Sequence, residues 1–218
     1  MYRGTRIAKA LVYASLLVLL ASSTRWAAAY DVTPTGERLS HYLDGLDVEH
    51  HWLPGERISW RSGDPSPKGG TSSTHCSAFV AAACAGANVY ILRPPEHKQT
   101  LLANAQYEWL ADKGREQGWQ RVASATEAQQ RANRGELVVA TYRNPDAKKP
   151  GHIVIVRPSR KSSATIAAEG PDIIQAGGHN RNRAPLVDGF RSHPSAWRNG
   201  EIAYYAHMVE DGAIATEN

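Results

Sequence analysis

The chain has 218 residues, 42% hydrophobic and 21% charged, with 18 Gly, 12 Pro and two Cys. That balance excludes wholesale disorder, a collagen-like repeat and a disulfide scaffold. The formal charge of +4 sits entirely in Arg3, Arg6, Lys9 and Arg25; without them the bases only equal the 21 acids, so the body of the chain carries no electrostatic footprint for nucleic acid.

The N-terminus reads as an address. Arg3, Arg6 and Lys9 form a positive region, and Ala10 to Ala21 (ALVYASLLVLLA) is an apolar run. A spanning helix needs roughly 20 apolar residues, so the run is short for an anchor. Ala27-Ala28-Ala29 then offers the small residues of a cleavage site. Residues 1–29 are expected to be a secretory signal peptide, and residues 30–218 a single domain. Nothing later is long and apolar enough to span a bilayer.

Glu37 to Val48 is expected to be an amphipathic helix, with Leu39, Tyr42, Leu43 and Leu46 on one face. Pro54 to Gly70 is loop-like, with a short strand at Arg57 to Arg61. Thr71 to Thr74 offer caps for a helix from Cys76 to about Ala87, with Phe79, Val80, Ala83 and Ala87 as its buried stripe. On that helix Cys76 and Cys84 lie about 12 Å apart. A disulfide wants Cα atoms within roughly 7 Å, so the two are not expected to pair. Cys84 is expected to be buried among its alanines.

Lys98 to Lys113 reads as a further helix, with Leu101, Leu102, Ala105, Trp109 and Leu110 apolar. Ser124-Ala-Thr-Glu127 is a capping box opening a short helix that ends near Gly135. The period then changes. Glu136 to Tyr142, His152 to Arg157, Ala164 to Ala168, Asp172 to Ala176 and Glu201 to Val209 read as strands, joined by short links that favour antiparallel pairing. The expected class is α+β, with N-terminal helices laid on one face of an antiparallel sheet. Gly177 to Gly200 is long and polar and reads as a rim or lid loop, and the tail from Asp211 to Asn218 as loose.

Three residues carry candidate chemistry. Cys76 starts a helix, where unpaired N–H groups and the dipole lower a thiol's pKa and can hold an oxyanion. His152 opens a strand after a tight turn (Lys149-Pro-Gly-His152), where it can serve a thiol as general base. Gln175 is a polar amide in an apolar strand, which must either bond a neighbour or face water. If that strand lies beside the His152 strand, its carbonyl can orient the imidazole; His179 and Asn180 are rival orienters. His75 is expected to line the groove beside Cys76.

These motifs resemble, in order and element type, the NlpC/P60 superfamily and within it the CHAP-type amidases. The resemblance rests on Thr74-His75-Cys76-Ser77-Ala78-Phe79-Val80, on Gly135-Glu136-Leu137-Val138-Val139, on Gly151-His152-Ile153-Val154-Ile155 and on Gln175 in IIQAGG, and it covers roughly residues 70 to 180. It departs from the family pattern at His75, where an acidic or polar residue is common, and at Gln175, where His, Asn, Glu or Asp is commoner. The resemblance implies a papain-like fold and hydrolysis of amide bonds in peptidoglycan peptides. Cys76 would form an acyl-enzyme thioester, His152 would act as acid and base, and Gln175 would orient it. Export suits that substrate. The partners implied are peptidoglycan or its stem peptides, with no nucleic acid, no lasting membrane insertion and a monomeric state.

Two other classes compete: a non-catalytic wall-binding module, and an acyltransferase on the same fold. No phosphate loop and no Gly-x-Ser-x-Gly motif occurs, which disfavours nucleotide and serine-hydrolase chemistry. His50-His51 stands without an HExxH motif or a cysteine cluster, so neither a metal nor another cofactor is expected. Trp52, Trp60, Trp109, Trp119 and Trp197 could stack on a glycan, though most are expected in the core.

Overall fold

In the computed structural model, residues 30–69, 72–210 and 212–214 are described. The expected signal peptide, and the tail apart from residues 212–214, lie outside them. Helix α1 (Pro34–Gly45) opens on Thr33, whose hydroxyl accepts from the Gly36 N–H at 3.1 Å, with Pro34 at the first position. That is the N-cap and proline pattern that starts a helix, and it begins three residues before the expected boundary. Helix α2 (Cys76–Gly86) and helix α3 (Leu102–Asp112) follow. Strand β1 (Gln120–Val122) leads into helix α4 (Ala125–Asn133). In α4 the Ser124 hydroxyl accepts from the Glu127 N–H at 3.1 Å while Glu127 accepts from the Ala123 N–H at 3.0 Å, so the capping box is formed.

Strands β2 (Leu137–Tyr142) and β3 (His152–Val156) form an antiparallel pair. A 3-10 turn (Gly114–Gln117) before β1, helix α5 (Ser163–Glu169), strand β4 (Asp172–Gln175), strand β5 (Arg181–Pro185), helices α6 (Leu186–Gly189) and α7 (Pro194–Arg198), and strand β6 (Ala203–His207) complete the described elements. The result is an α+β architecture around one six-stranded antiparallel sheet of order β1-β6-β2-β3-β4-β5.

Period-2 alternation divides β2 and β3 between two cores. Leu137, Val139, Ile153 and Ile155 face α1, α2 and α3. Val138, Ala140, Val154 and Val156 face the opposite side, where Ala128, Ala132, Leu186, Phe190 and Ala196 pack. Both faces are therefore covered, not one as expected. The cause is the strands themselves, which are apolar on both sides and buried throughout.

Further expectations are corrected. Ala164 to Ala168 is helical in α5, because Ser162 caps it by accepting from the Thr165 N–H at 3.1 Å and alanine favours a helix. Arg57 to Arg61 yields only an isolated bridge between Ile58 and Pro65, since the surrounding Gly and Pro supply no ladder. Helix α3 starts at Leu102, after Leu101 turns left-handed at φ 56°. Helix α2 has no single buried stripe: Cys76 to Cys84 is buried on every side, as an all-apolar helix must be. The Gly177 to Gly200 segment is no open loop but carries β5, α6 and α7. Its polar outer residues hide an apolar set, Ala184, Leu186, Phe190 and Ala196, that packs on the sheet. Ile214 in the tail is also buried, in the α1 face. Both cysteines are free and buried. Among the described residues, no helix is long and apolar enough to cross a membrane.

Candidate active site

Helix α2 packs across β3, so its N-terminus arrives where β3 begins. Cys76 opens α2 and His152 opens β3. The backbone N–H groups of Ile153, Ser77 and Cys76 itself are directed at the sulfur. Ile153 N is bonded to the carbonyl carbon of His152, so both residues stand at the same strand end, but His152 pairs with Tyr142 on the Val154 face, whereas α2 and Cys76 cover the Ile153 face. Among the described residues no hydrogen bond joins thiol and imidazole. The sulfur borders a cavity of about 260 Å³ lined by Ser77, Gln99, Leu101 and Leu102. The imidazole borders a second cavity of about 280 Å³. Thr74, Pro150 and Gly151 line both, and so form a shared ridge between them.

The N-terminus of α2 lacks a side-chain cap. Its cap position is His75, outside the expected 71–74 stretch. The ring of His75 turns away from the groove, is buried, and donates from Nε2 to the Glu56 carbonyl at 2.9 Å. The expectation that His75 lines the groove is thus corrected: a ring facing that carbonyl is satisfied inside the loop. The first-turn N–H groups of α2 remain available at the thiol.

His152 Nε2 lies 2.9 Å from Gln175 Oε1. The amide's other end fixes its direction, because Gln175 Nε2 donates to the His179 carbonyl at 3.1 Å. An acceptor facing Nε2 places the ring proton there and leaves Nδ1 with its lone pair. Val156 is paired in register with Ile173, so by alternation Gln175 shares a sheet face with Val156, Val154 and His152. Of the rival orienters, His179 contributes its carbonyl to Gln175. Asn180 braces the loop instead: its Oδ1 accepts from the Gly177 N–H, and its Nδ2 donates to the carbonyls of Val48, His51 and Trp52.

Cys76, His152 and Gln175 are 5%, 9% and 6% exposed. Burial pushes the Cys76 thiol up, against the pull of the three backbone amides. This corrects the expected depression: in a dry site desolvation of the thiolate outweighs the helix end. Burial likewise lowers His152, against the Gln175 hydrogen bond. The two groups therefore rest as a neutral thiol and a neutral imidazole. Such an imidazole can take a proton as the thiol attacks, and the uncapped amides can receive an oxyanion.

Sequence reasoning missed the supports of His152. Phe190 meets the ring edge-on at 5.0 Å, and His193 lies beside it at 6.4 Å and against Tyr142 at 5.1 Å. The turn before His152 is pinned from α3: Asn104 donates from Nδ2 to the Lys149 carbonyl at 2.9 Å and accepts the Asn144 N–H at 3.1 Å. A Cβ on Gly151 would stand 2.2 Å from the Tyr142 carbonyl and 2.5 Å from Asn104 Oδ1. A polar residue inside the apolar pattern Leu101, Leu102, Ala105 was the available sign of Asn104.

Elsewhere, His50 pairs with Asp47 at 2.7 Å and His51 with Asp64 at 3.0 Å, on separate surface contacts. Among the described residues no group of three His, Cys, Asp or Glu could hold a metal ion. Trp52 and Trp119 are buried, whereas Trp60, Trp109 and Trp197 are partly buried against the two cores. No family model and no curated protein matches this chain.

Proposed function

We propose that this chain is an exported cysteine amidase or endopeptidase of the papain-like NlpC/P60 type, hydrolysing amide bonds of peptidoglycan peptides. The observation that carries the chemistry is the Gln175-held imidazole at the strand end where the Cys76 thiol meets the Ile153 amide. The substrate class rests on the resemblance of the motifs and on the expected signal peptide.

Cys76 Sγ attacks the scissile carbonyl carbon as its proton passes to His152 Nδ1. The amides at the start of α2 receive the oxyanion. His152 returns the proton to the leaving nitrogen, the C–N bond breaks, and a thioester remains on Cys76. Water, giving its proton to His152, then attacks that thioester. The acid leaves and the thiol is regenerated. Gln175 Oε1 stabilises the transient imidazolium and, by holding the ring proton at Nε2, leaves Nδ1 as the proton acceptor.

Mass spectrometry of digested cell-wall sacculi tests this reading. The wild-type protein should release stem-peptide fragments, and Cys76→Ala and His152→Ala should release none while still unfolding cooperatively. Cleavage by Cys76→Ala at the wild-type rate would end the proposal. The burial that raises the Cys76 thiol favours a second reading, a non-catalytic wall-binding module. Sacculi separate the two: wild-type protein that binds them and releases no fragments supports the module.

A further inference from the structure

The two cavities divide any substrate that crosses the ridge of Thr74, Pro150 and Gly151. The sulfur borders the first, so the acyl half belongs there. The imidazole borders the second and must reach the leaving nitrogen, so the amine half belongs on that side. Beyond His152 and Gln175 that second cavity carries charge: Arg181, Asp188 and Arg191 line it. Arg191 is partly answered by Asp188 at 3.6 Å. Arg181 is exposed, and its side chain has no hydrogen bond or ion pair among the described residues. The other arginine of β5 differs, since Arg183 pairs with Asp172 at 3.0 Å.

Register fixes where Arg181 stands. It is the cross-strand partner of Gln175 in the β4–β5 pair. Directly opposed residues share a sheet face, so a guanidinium flanks the amide that orients His152. The cavity wall thus holds two cations and one anion around the leaving-group position. An amine half that bears a carboxylate matches this charge, and a neutral one leaves Arg181 to water.

We propose that Arg181 is the specificity-determining residue of this site and binds a carboxylate on the amine half of the substrate, so that the preferred leaving group is an amino acid with a free carboxyl group close to the scissile nitrogen. This inference rests on the amidase reading for turnover but not for binding.

The test compares N-acetyl-dialanine with its C-terminal carboxamide, each as the L,L and D,D form. Wild-type protein should favour the acid by roughly tenfold to a hundredfold in kcat/KM, mainly through KM. Arg181→Gln should remove that preference by weakening the acid only, and Arg181→Lys should retain part of it. Equal rates for acid and amide in wild type, or an equal loss on both in Arg181→Gln, would overturn the assignment. Binding of the same compounds to Cys76→Ala, read from the His152 ring resonances, keeps the two ideas apart. Arg181-dependent binding of the acid without any wild-type turnover would retain the subsite and end the hydrolytic reading. Equal binding of acid and amide would end the subsite whatever the turnover.

Discussion

The thiol and the imidazole are held by different means. Cys76 is placed by backbone alone: it opens α2, which packs on β3, and its near partners are peptide N–H groups. His152 is placed by side chains from separate stretches of chain, with Gln175 at its Nε2, Phe190 at its ring edge and Asn104 under the turn that delivers it. A placement made by backbone survives as long as the fold does. One made by side chains can be lost a residue at a time. Mutations around Cys76 should therefore act through the sulfur itself or not at all, and mutations around His152 should be graded.

The steepest step in that gradation is Gly151→Ala. Its Cβ would stand 2.2 Å from the Tyr142 carbonyl, and backbone there has nowhere to go because β2 and β3 are paired through Tyr142 and His152. The turn must shift and carry His152 with it. Denaturant unfolding should show a loss of about 2 kcal/mol or more, and turnover should fall by at least roughly a hundredfold. A variant with wild-type stability and turnover would show that the turn does not position the imidazole.

Next comes Gln175, where two substitutions separate orientation from charge. Gln175→Ala should lower kcat by roughly tenfold to a hundredfold and cost about 1–2 kcal/mol of stability, because it unpairs the His152 ring N–H and the His179 carbonyl. Gln175→Glu keeps an acceptor at Nε2 and adds a negative charge beside a buried ring. The charge favours the imidazolium, so the acid side of the pH–rate profile should move to higher pH than in wild type. An unmoved profile would mean that Gln175 does not face the working imidazole.

The same division explains what could be read in advance. Backbone-determined features were legible: the Cys76 helix, the capping box of α4, and strands β2, β3, β4 and β6 follow from local periodicity and caps. The Gln175–His152 contact was legible only as one alternative, since the same amide could have faced water and His179 or Asn180 could have oriented the ring. Side-chain tertiary contacts were not legible. Phe190 and His193 sit in a stretch whose average polarity reads as loop, and only the sheet reveals that its few apolar residues converge. The raised thiol was illegible for a similar reason. The helix end is written in local sequence, whereas the depth of burial depends on everything that covers it.

Asn104→Ala has a smaller expected effect. It leaves the Lys149 carbonyl and the Asn144 N–H without their partner, which costs about 1–2 kcal/mol for partly buried groups. Turnover should fall several-fold as the turn loosens, and Asn104→Asp should restore only the half that accepts from Asn144. Thermal melts together with steady-state rates check this. A stability loss with an unchanged rate would confine Asn104 to a structural role.

The mildest effect is on pH, and it reaches beyond the reacting pair. Burial lowers the pKa of His152, His75 and His193 below the ordinary imidazole value of 6.5. In the unfolded chain these rings take up protons near that value, whereas in the folded protein they resist them. Below pH 6.5 the unfolded state therefore binds more protons, and stability falls as pH falls. The stabilisation is fully present above 6.5 and is lost as pH drops towards the depressed folded values. Melting temperature should decline between pH 7 and pH 5. His193→Gln should flatten the decline without abolishing it, because two buried rings remain. Activity should follow the same direction for its own reason, since protonated His152 can no longer accept the Cys76 proton. The two declines are separable, because His193→Gln bears on stability and leaves the Nδ1 lone pair of His152 in place. A melting temperature that rises on acidification would mean that these rings are not buried in their neutral form.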